Sequence, residues 1–257
     1  MNDSRYRTIA LDRRADGIAE VRLGRPDAGN PIDARCLDEL DAAAAELHDD
    51  ASVRAVLLTA AGDVFSRGWD AGAGSAHPAA GRDPLPFRYL ELLGQPVIAC
   101  IEGDAIGAGL ELALACDVRI AAEGVTFALP DVADGTVPRG GATQRLPRLV
   151  GPGAASAMIL LGEPLGAAAA LACGLVNRVE PRAAVRPAGE RLAARIAALG
   201  AVAVRYAKEA MQRGLDMPLD QALRYETDLT VLLQTTADRA EGVAAFLEKR
   251  PPHFEGR

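Results

Sequence analysis

Lysine is nearly absent from this chain: of its 28 basic residues, only Lys208 and Lys249 are not arginine. Acidic residues number 35, giving a formal charge of -7. The clustered basic surface that a nucleic-acid partner requires is therefore not expected. Aromatic residues make up only 4%, and abundant Ala and Gly point instead to a core built from close backbone approaches. The three histidines are His48 at a polar helix end, His77 in a Gly/Ala/Pro-rich loop, and His253 near the terminus. None accompanies a Gly-x-Ser-x-Gly elbow, which argues against a Ser-His-Asp hydrolase. The four cysteines, Cys36, Cys100, Cys116 and Cys173, have no paired spacing, and no His/Cys cluster has metal-ligand spacing. They read as free thiols of a reducing compartment. No apolar run reaches membrane-spanning length, and the N-terminal "MNDSRYRTIALDRRADG" lacks a secretory pattern. A cytoplasmic protein with no metal and no nucleic-acid or membrane partner is expected.

A hydrophobic content of 49% with 25% charge fits a soluble globular chain, and 257 residues suit one large domain with at most a small appendage. "YRTIALDRRADGIAEVRLGRP" alternates around Asp16-Gly17 as a β-hairpin does. "IDARCLDELDAAAAELHDD" reads as a helix that Asp33 caps. Buried strands are expected at "VRAVLLTAAG", "QPVIACIEG" and "VRIAAE", with a short apolar segment at "VTFALP". Helices are expected at "FRYLELLG" and "AGLELALACD", after the turn "DGTVPRGGATQRL", and over most of the chain beyond Ala183. Strand-helix alternation predicts an α/β fold. No fixed-period repeat of residue identity is present, and residues 70 to 86 come nearest to disorder.

The segment "CIEGDAIGAGLELALACDVRI", residues 100 to 120, carries the chemical signal. Its small-residue turn suggests a dinucleotide site, but Leu112 stands where the third glycine or alanine is required. What remains is Glu111, an acid among Leu110, Leu112, Ala113 and Leu114, which is costly to bury unless it is bonded or needed. Asp131 and Asp134 follow "FALP". Two acids converging on one pocket divide acid and base duties when their environments push their pKa values apart. The turn before Glu111 also presents backbone N–H groups for an oxyanion. Acids at helix starts are, however, usually caps or dipole partners.

The ordered set "RPDAGNPID", "AVLLTAAGDVFSRGWD", "QPVIACIEGDAIGAGLELALACDVRIAAE", "FALPDVADGTVPRGGATQRLPRLVG", "GLVNRVEP" and "AAFLEKRPPHFEG" spans nearly the whole chain. It resembles the enoyl-CoA hydratase/isomerase (crotonase) family. The resemblance implies a spiral of β-β-α turns over residues 1–195 and a C-terminal helical oligomerisation region over 196–257. It implies homotrimers or dimers of trimers, an acyl-CoA thioester substrate, and no cofactor beyond the coenzyme A of that substrate. By motif position, Trp69 and Ala108 supply the oxyanion-hole N–H groups. Gly68 and Gly107 let the thioester approach the backbone, and Glu111 and Asp131 are the catalytic acids. Arg25, Lys249 and Arg250 are candidates for the CoA phosphates.

The implied reaction is hydration of a 2-enoyl-CoA through a stabilised enolate. Δ3-Δ2 isomerisation and non-catalytic acyl-CoA binding are the alternatives. Four positions depart from the hydratase pattern. Asp131 stands where hydratases usually carry Glu, withdrawing the carboxylate by roughly 1.5 Å. Trp69 and Ala108 replace smaller residues. Arg139 replaces a small residue; Asp131, Asp134 or an acidic substrate group are its candidate partners, and an arginine in such a loop is more often simply solvated.

Overall fold

The computed structural model describes residues 5–70 and 85–257. The loop read between residues 63 and 84 falls largely outside them, and His77 with it. The chain opens with the expected hairpin. Strands β1 (Ile9–Arg13) and β2 (Ile18–Leu23) pair antiparallel, with Ile9 opposite Leu23. Helix α1 (Ala34–Asp49) follows, and the Asp33 carboxylate accepts the Cys36 N–H at 2.7 Å, satisfying one of the helix's orphan donors. Leu37, Leu40, Ala44 and Leu47 recur at helical spacing and are buried.

Strands β3 (Ala55–Ala60), β4 (Val97–Ile101) and β6 (Val118–Ala122) are apolar along nearly their whole length, as parallel strands covered on both faces must be. With β9 (Arg178–Glu180) they complete a six-stranded sheet in the order β1-β2-β3-β4-β6-β9, in which only β1 is antiparallel. A second sheet holds β5 (Ala105–Ile106), β7 (Thr126–Ala128) and β8 (Leu165–Gly166). Single parallel bridges extend its line, Ser66 to Ala105 and Ile32 to Trp69.

The spiral is visible in these pairings. The chain visits the large sheet, then the line of short strands, then a helix, and repeats. β3 leads through Ser66–Trp69 towards α2 (Arg88–Glu91), β4 through β5 to α3 (Ala108–Leu114), and β6 through β7 to α4 (Ala142–Leu160). α2 is shorter than the stretch read from sequence: Phe87 enters it in the left-handed region at φ 66, and the helix ends at Glu91 with Leu92 as its C-cap.

After α5 (Ala167–Ala172), helix α6 (Arg182–Ala197) packs on β3, β4 and β6. The boundary expected at residue 195 thus falls in its last turn. Helices α7 (Ala201–Gly214), α8 (Leu219–Leu233) and α9 (Ala237–Glu248) form the C-terminal region. α7 is fastened to the sheet by Lys208. Its Nζ donates to Asp117 Oδ2 at 2.6 Å and to the Gln95 carbonyl at 3.1 Å. All four cysteines are free thiols. Among the described residues no helix is long and apolar enough to cross a membrane.

Candidate active site

The site begins where residues 66 to 70 pass the start of α3. The Ser66 hydroxyl donates to the Asn30 carbonyl at 2.8 Å and accepts the Gly68 N–H at 3.2 Å. Ile32 N donates to Gly68 O at 2.8 Å, and Asp70 N to Ile32 O at 2.9 Å. A trans peptide points its N–H opposite to its C=O, so the Trp69 N–H, on the peptide whose Gly68 carbonyl faces Ile32, points away from Ile32. Gly68 adopts φ 98, a conformation that costs glycine little and other residues much. A Cβ there would lie 3.0 Å from Ile106 O and 3.5 Å from Ala108 N. The two segments expected to supply the donors thus run against each other. Ala108 is the first residue of α3, so its N–H has no acceptor within the helix. Gly107 caps α3 at φ 51 and donates to the Ala128 carbonyl at 2.8 Å, tying this turn to β7.

Glu111 lies one turn into α3 and is fully buried. Its Oε1 accepts N–H groups from Gly140 at 2.7 Å and Ala142 at 3.1 Å. Its Oε2 is buried with no partner among the described residues. Burial pushes this carboxyl upward. The two backbone N–H groups oppose that, the Asp131 charge adds to it, and Arg145 offsets a part, leaving the group at about 7.

Asp131 lies in a 3-10 turn, Pro130–Asp134, that leaves the end of β7, and it is also buried. Pairing of β5 with β7 sets that turn beside the start of α3. The field of Asp131 on Glu111 is the electrostatic expression of this proximity. Asp134 and Arg139, singled out in the same loop, are exposed.

The sequence did not reveal the wall around Glu111. A Cβ on Gly140 would meet Glu111 Oε2 at 2.7 Å and Phe87 Cε2 at 2.8 Å. Phe87 is itself buried and stacks on Trp69, with ring centroids 6.1 Å apart at 17°. An apolar layer therefore runs from Trp69 through Phe87 to the carboxylate. Arg145 lies beneath the loop. Its Nη1 donates to the Gly140 carbonyl at 2.6 Å, and its Nε and Nη2 grip Glu91 at 3.2 and 2.9 Å. The glycine pair 140–141 ahead of a helix was a usable signal for a close approach. Nothing in one sequence joins Arg145 to a glutamate 54 residues away.

This geometry lies within a chain whose residues 13–257 match the family model for enoyl-CoA hydratase/isomerase. The protein belongs to the enoyl-CoA hydratase/isomerase family. It is 37% identical over 256 residues to the crotonyl-CoA hydratase of Syntrophomonas wolfei, covering 97% of this chain and 98% of that protein. It is 37% identical over 243 residues to the short-chain-enoyl-CoA hydratase of Clostridium acetobutylicum, covering 91% of this chain and 92% of that one. The crystal structure of the enoyl-CoA hydratase from Bacillus anthracis superposes with a TM-score of 0.90 at 35% identity, covering 98% of this chain and all of that one. The crotonase fold read from the motifs is therefore the fold of this member of the enoyl-CoA hydratase/isomerase family.

The three cations expected at the CoA phosphates occupy two places. Arg25 binds the Asp33 carboxylate at 2.6 Å and also the Pro31 carbonyl, so it locks the entry to α1. Lys249 closes α9 in the left-handed region at φ 55 and is exposed. Arg250 beside it is held by Glu241 at 2.6 and 2.8 Å and by Glu248 at 2.6 Å.

Proposed function

We propose that this protein is an enoyl-CoA hydratase in which Glu111 and Asp131 together add water across the double bond of a 2-enoyl-CoA thioester. The observation that carries this reading is the fully buried Glu111 carboxyl, with one oxygen held by two backbone N–H groups and the other without a partner among the described residues, one helical turn beyond Ala108. The thioester oxygen lies between the N–H groups of Trp69 and Ala108. There the charge that develops as the enolate forms meets fixed dipoles in a dry site. Gly68 and Gly107 keep side chains out of that approach.

Water oxygen bonds to the β carbon, the double-bond electrons pass to the thioester oxygen, and a proton reaches the α carbon. Water gives up one proton and the α carbon gains one, so the acid pair ends with the protons it began with. No separate cofactor enters this balance. The two carboxylates interact, so their titration belongs to the pair.

The Asp131 side chain is one methylene shorter than the glutamate usual in hydratases, which favours Δ3-Δ2 isomerisation as a second reading, since moving a double bond needs one relaying acid. Purified protein incubated with 2-enoyl-CoA and 3-enoyl-CoA separates them. Hydration removes the conjugated-enoyl absorbance of the first, whereas isomerisation creates it from the second. Thioester binding without turnover of either substrate refutes both and leaves a silent binder.

Lys249, Arg250 and Arg25 are the cations we assign to the CoA phosphates. The C-terminal helices leave Leu215, Leu219, Leu223, Val231, Phe246 and Leu247 exposed. An apolar surface of that kind marks a protein contact and supports assembly into a trimer or dimer of trimers, tested by sedimentation. The cytoplasm is the compartment that free thiols fit.

A further inference from the structure

We propose that Arg145 is a positioning residue for Glu111, acting through the loop at Gly140 and anchored by Glu91. The inference rests on Glu111 being catalytic, as set out above.

Glu111 Oε1 takes its two hydrogen bonds from Gly140 N and Ala142 N. Those nitrogens belong to the peptide units on either side of the one joining Gly140 to Gly141. The carbonyl of that middle unit accepts Arg145 Nη1 at 2.6 Å. Arg145 therefore fixes the peptide plane between the two donors, and with it the angle at which both N–H groups converge. Only glycine fits the next position. Gly141 adopts φ 102, and a Cβ there would overlap the Arg145 guanidinium.

Arg145 does not swing freely. Glu91 holds it through two oxygens, and Arg88 holds Glu91 in turn at 2.6 Å. Burial alone would push the Glu91 carboxyl up, but the bonds and charges of Arg145 and Arg88 outweigh it and hold the group below its ordinary range. Glu91 thus stays ionised. It sits one turn after Phe87, whose carbonyl accepts the Glu91 N–H at 3.1 Å. The same short segment therefore delivers the aromatic wall and the anchor of the clamp. Asp131 faces Glu111 from the 3-10 turn and Arg145 from α4, with Glu91 and Arg88 behind Arg145. The arginine's charge opposes that of Asp131 on the carboxylate.

The test is Arg145→Gln in the full-length protein, with Arg145→Lys, Glu91→Gln and Glu111→Gln alongside. The expected result for Arg145→Gln is a kcat lower by about 10- to 100-fold, the scale of a misplaced catalytic group, with thioester affinity retained. The limb of the pH–rate profile governed by Glu111 moves to higher pH, since a neighbouring positive charge has gone. Arg145→Lys keeps that charge, so the limb stays in place and part of the rate returns. A pure folding defect would lower the unfolding temperature without moving the limb. Should Arg145→Gln fail to fold, Glu91→Gln decides: a lower kcat with affinity retained supports the clamp, and an unchanged kcat overturns it. Wild-type rate and an unmoved limb in folded Arg145→Gln also overturn it, provided Glu111→Gln is inactive. An active Glu111→Gln refutes the reading of the site itself.

Discussion

Glu111 Oε1 accepts the Gly140 N–H at 2.7 Å, while the Cβ that Gly140 lacks would stand 2.7 Å from Oε2 of the same carboxylate. One residue thus holds one oxygen and leaves room for the other. The loop must come this close for its N–H to reach, and a side chain at that distance has nowhere to go, because Phe87 closes the far side at 2.8 Å.

Gly140→Ala is the direct test of that fit. The methyl must displace Glu111, Phe87 or the loop, and overpacking of this kind costs about 1–3 kcal/mol. Hydration should fall by roughly 100-fold, as for a reacting group moved by an ångström, while the thioester still binds. Urea unfolding and single-substrate kinetics on one preparation read both effects. Wild-type kcat in this variant would mean that the loop does not set the carboxylate.

Asp131→Asn removes a negative charge from beside Glu111 and leaves a side chain of nearly the same shape. Since Asp131 raises Glu111, the limb of the pH–rate profile that Glu111 governs should move to lower pH, opposite to the shift expected for Arg145→Gln. Hydration itself should drop by about 100- to 10,000-fold, the usual share of one acid–base group. A rate loss with the limb unmoved would separate Asp131 from Glu111.

The parts that sequence made legible are those in which one residue's type decides the outcome. Asp33 before "ARCLDEL" is a cap by composition alone. β3 and β4 are almost wholly apolar runs between polar turns. Glu111 stands out because its neighbours are all apolar. The spiral was not legible as a pattern, because what repeats is a route through two sheets. Its links include strands of two residues, β5 and β8, too short to show a period. The donors proposed at Trp69 and Ala108 are main-chain groups, which no side chain announces, and the proposal came from the family resemblance. Phe87 at φ 66 and the grip of Arg145 on Glu91 are products of tertiary packing. Local propensity disfavours the first and sequence separation hides the second.

Lys208 and Asp117 form an ion pair whose side chains are 6% and 13% exposed. Asp117 Oδ2 also accepts the Val97 N–H at 2.7 Å, so the pair ties α7 to the start of β4. Lys208→Met keeps the aliphatic bulk and strands the carboxylate. Breaking one side of a buried pair costs about 3–5 kcal/mol, measurable by urea unfolding. A loss below 1 kcal/mol would show that water reaches Asp117 and that α7 is held by other contacts.

Glu111 also leaves a signature on stability that needs no substrate. Its carboxyl is raised from an ordinary 4.5 to about 7 in the folded chain, chiefly by burial. Below 4.5 both folded and unfolded chains hold the proton, and the full stability is present. Between 4.5 and about 7 the folded chain keeps a proton that the unfolded chain has released, so stability falls as pH rises. Above the folded value both forms are ionised, and this contribution stops changing. At about 1.4 kcal/mol per pH unit, the total is roughly 3 kcal/mol. Glu111→Gln cannot titrate, so its unfolding free energy relative to the parent should improve across that window and level off above it. Urea titrations of both proteins at closely spaced pH values give the difference directly. Parallel curves from pH 4.5 to 7 would mean that the buried acid ionises as easily as an exposed one, and the physical basis for its catalytic poise would be gone.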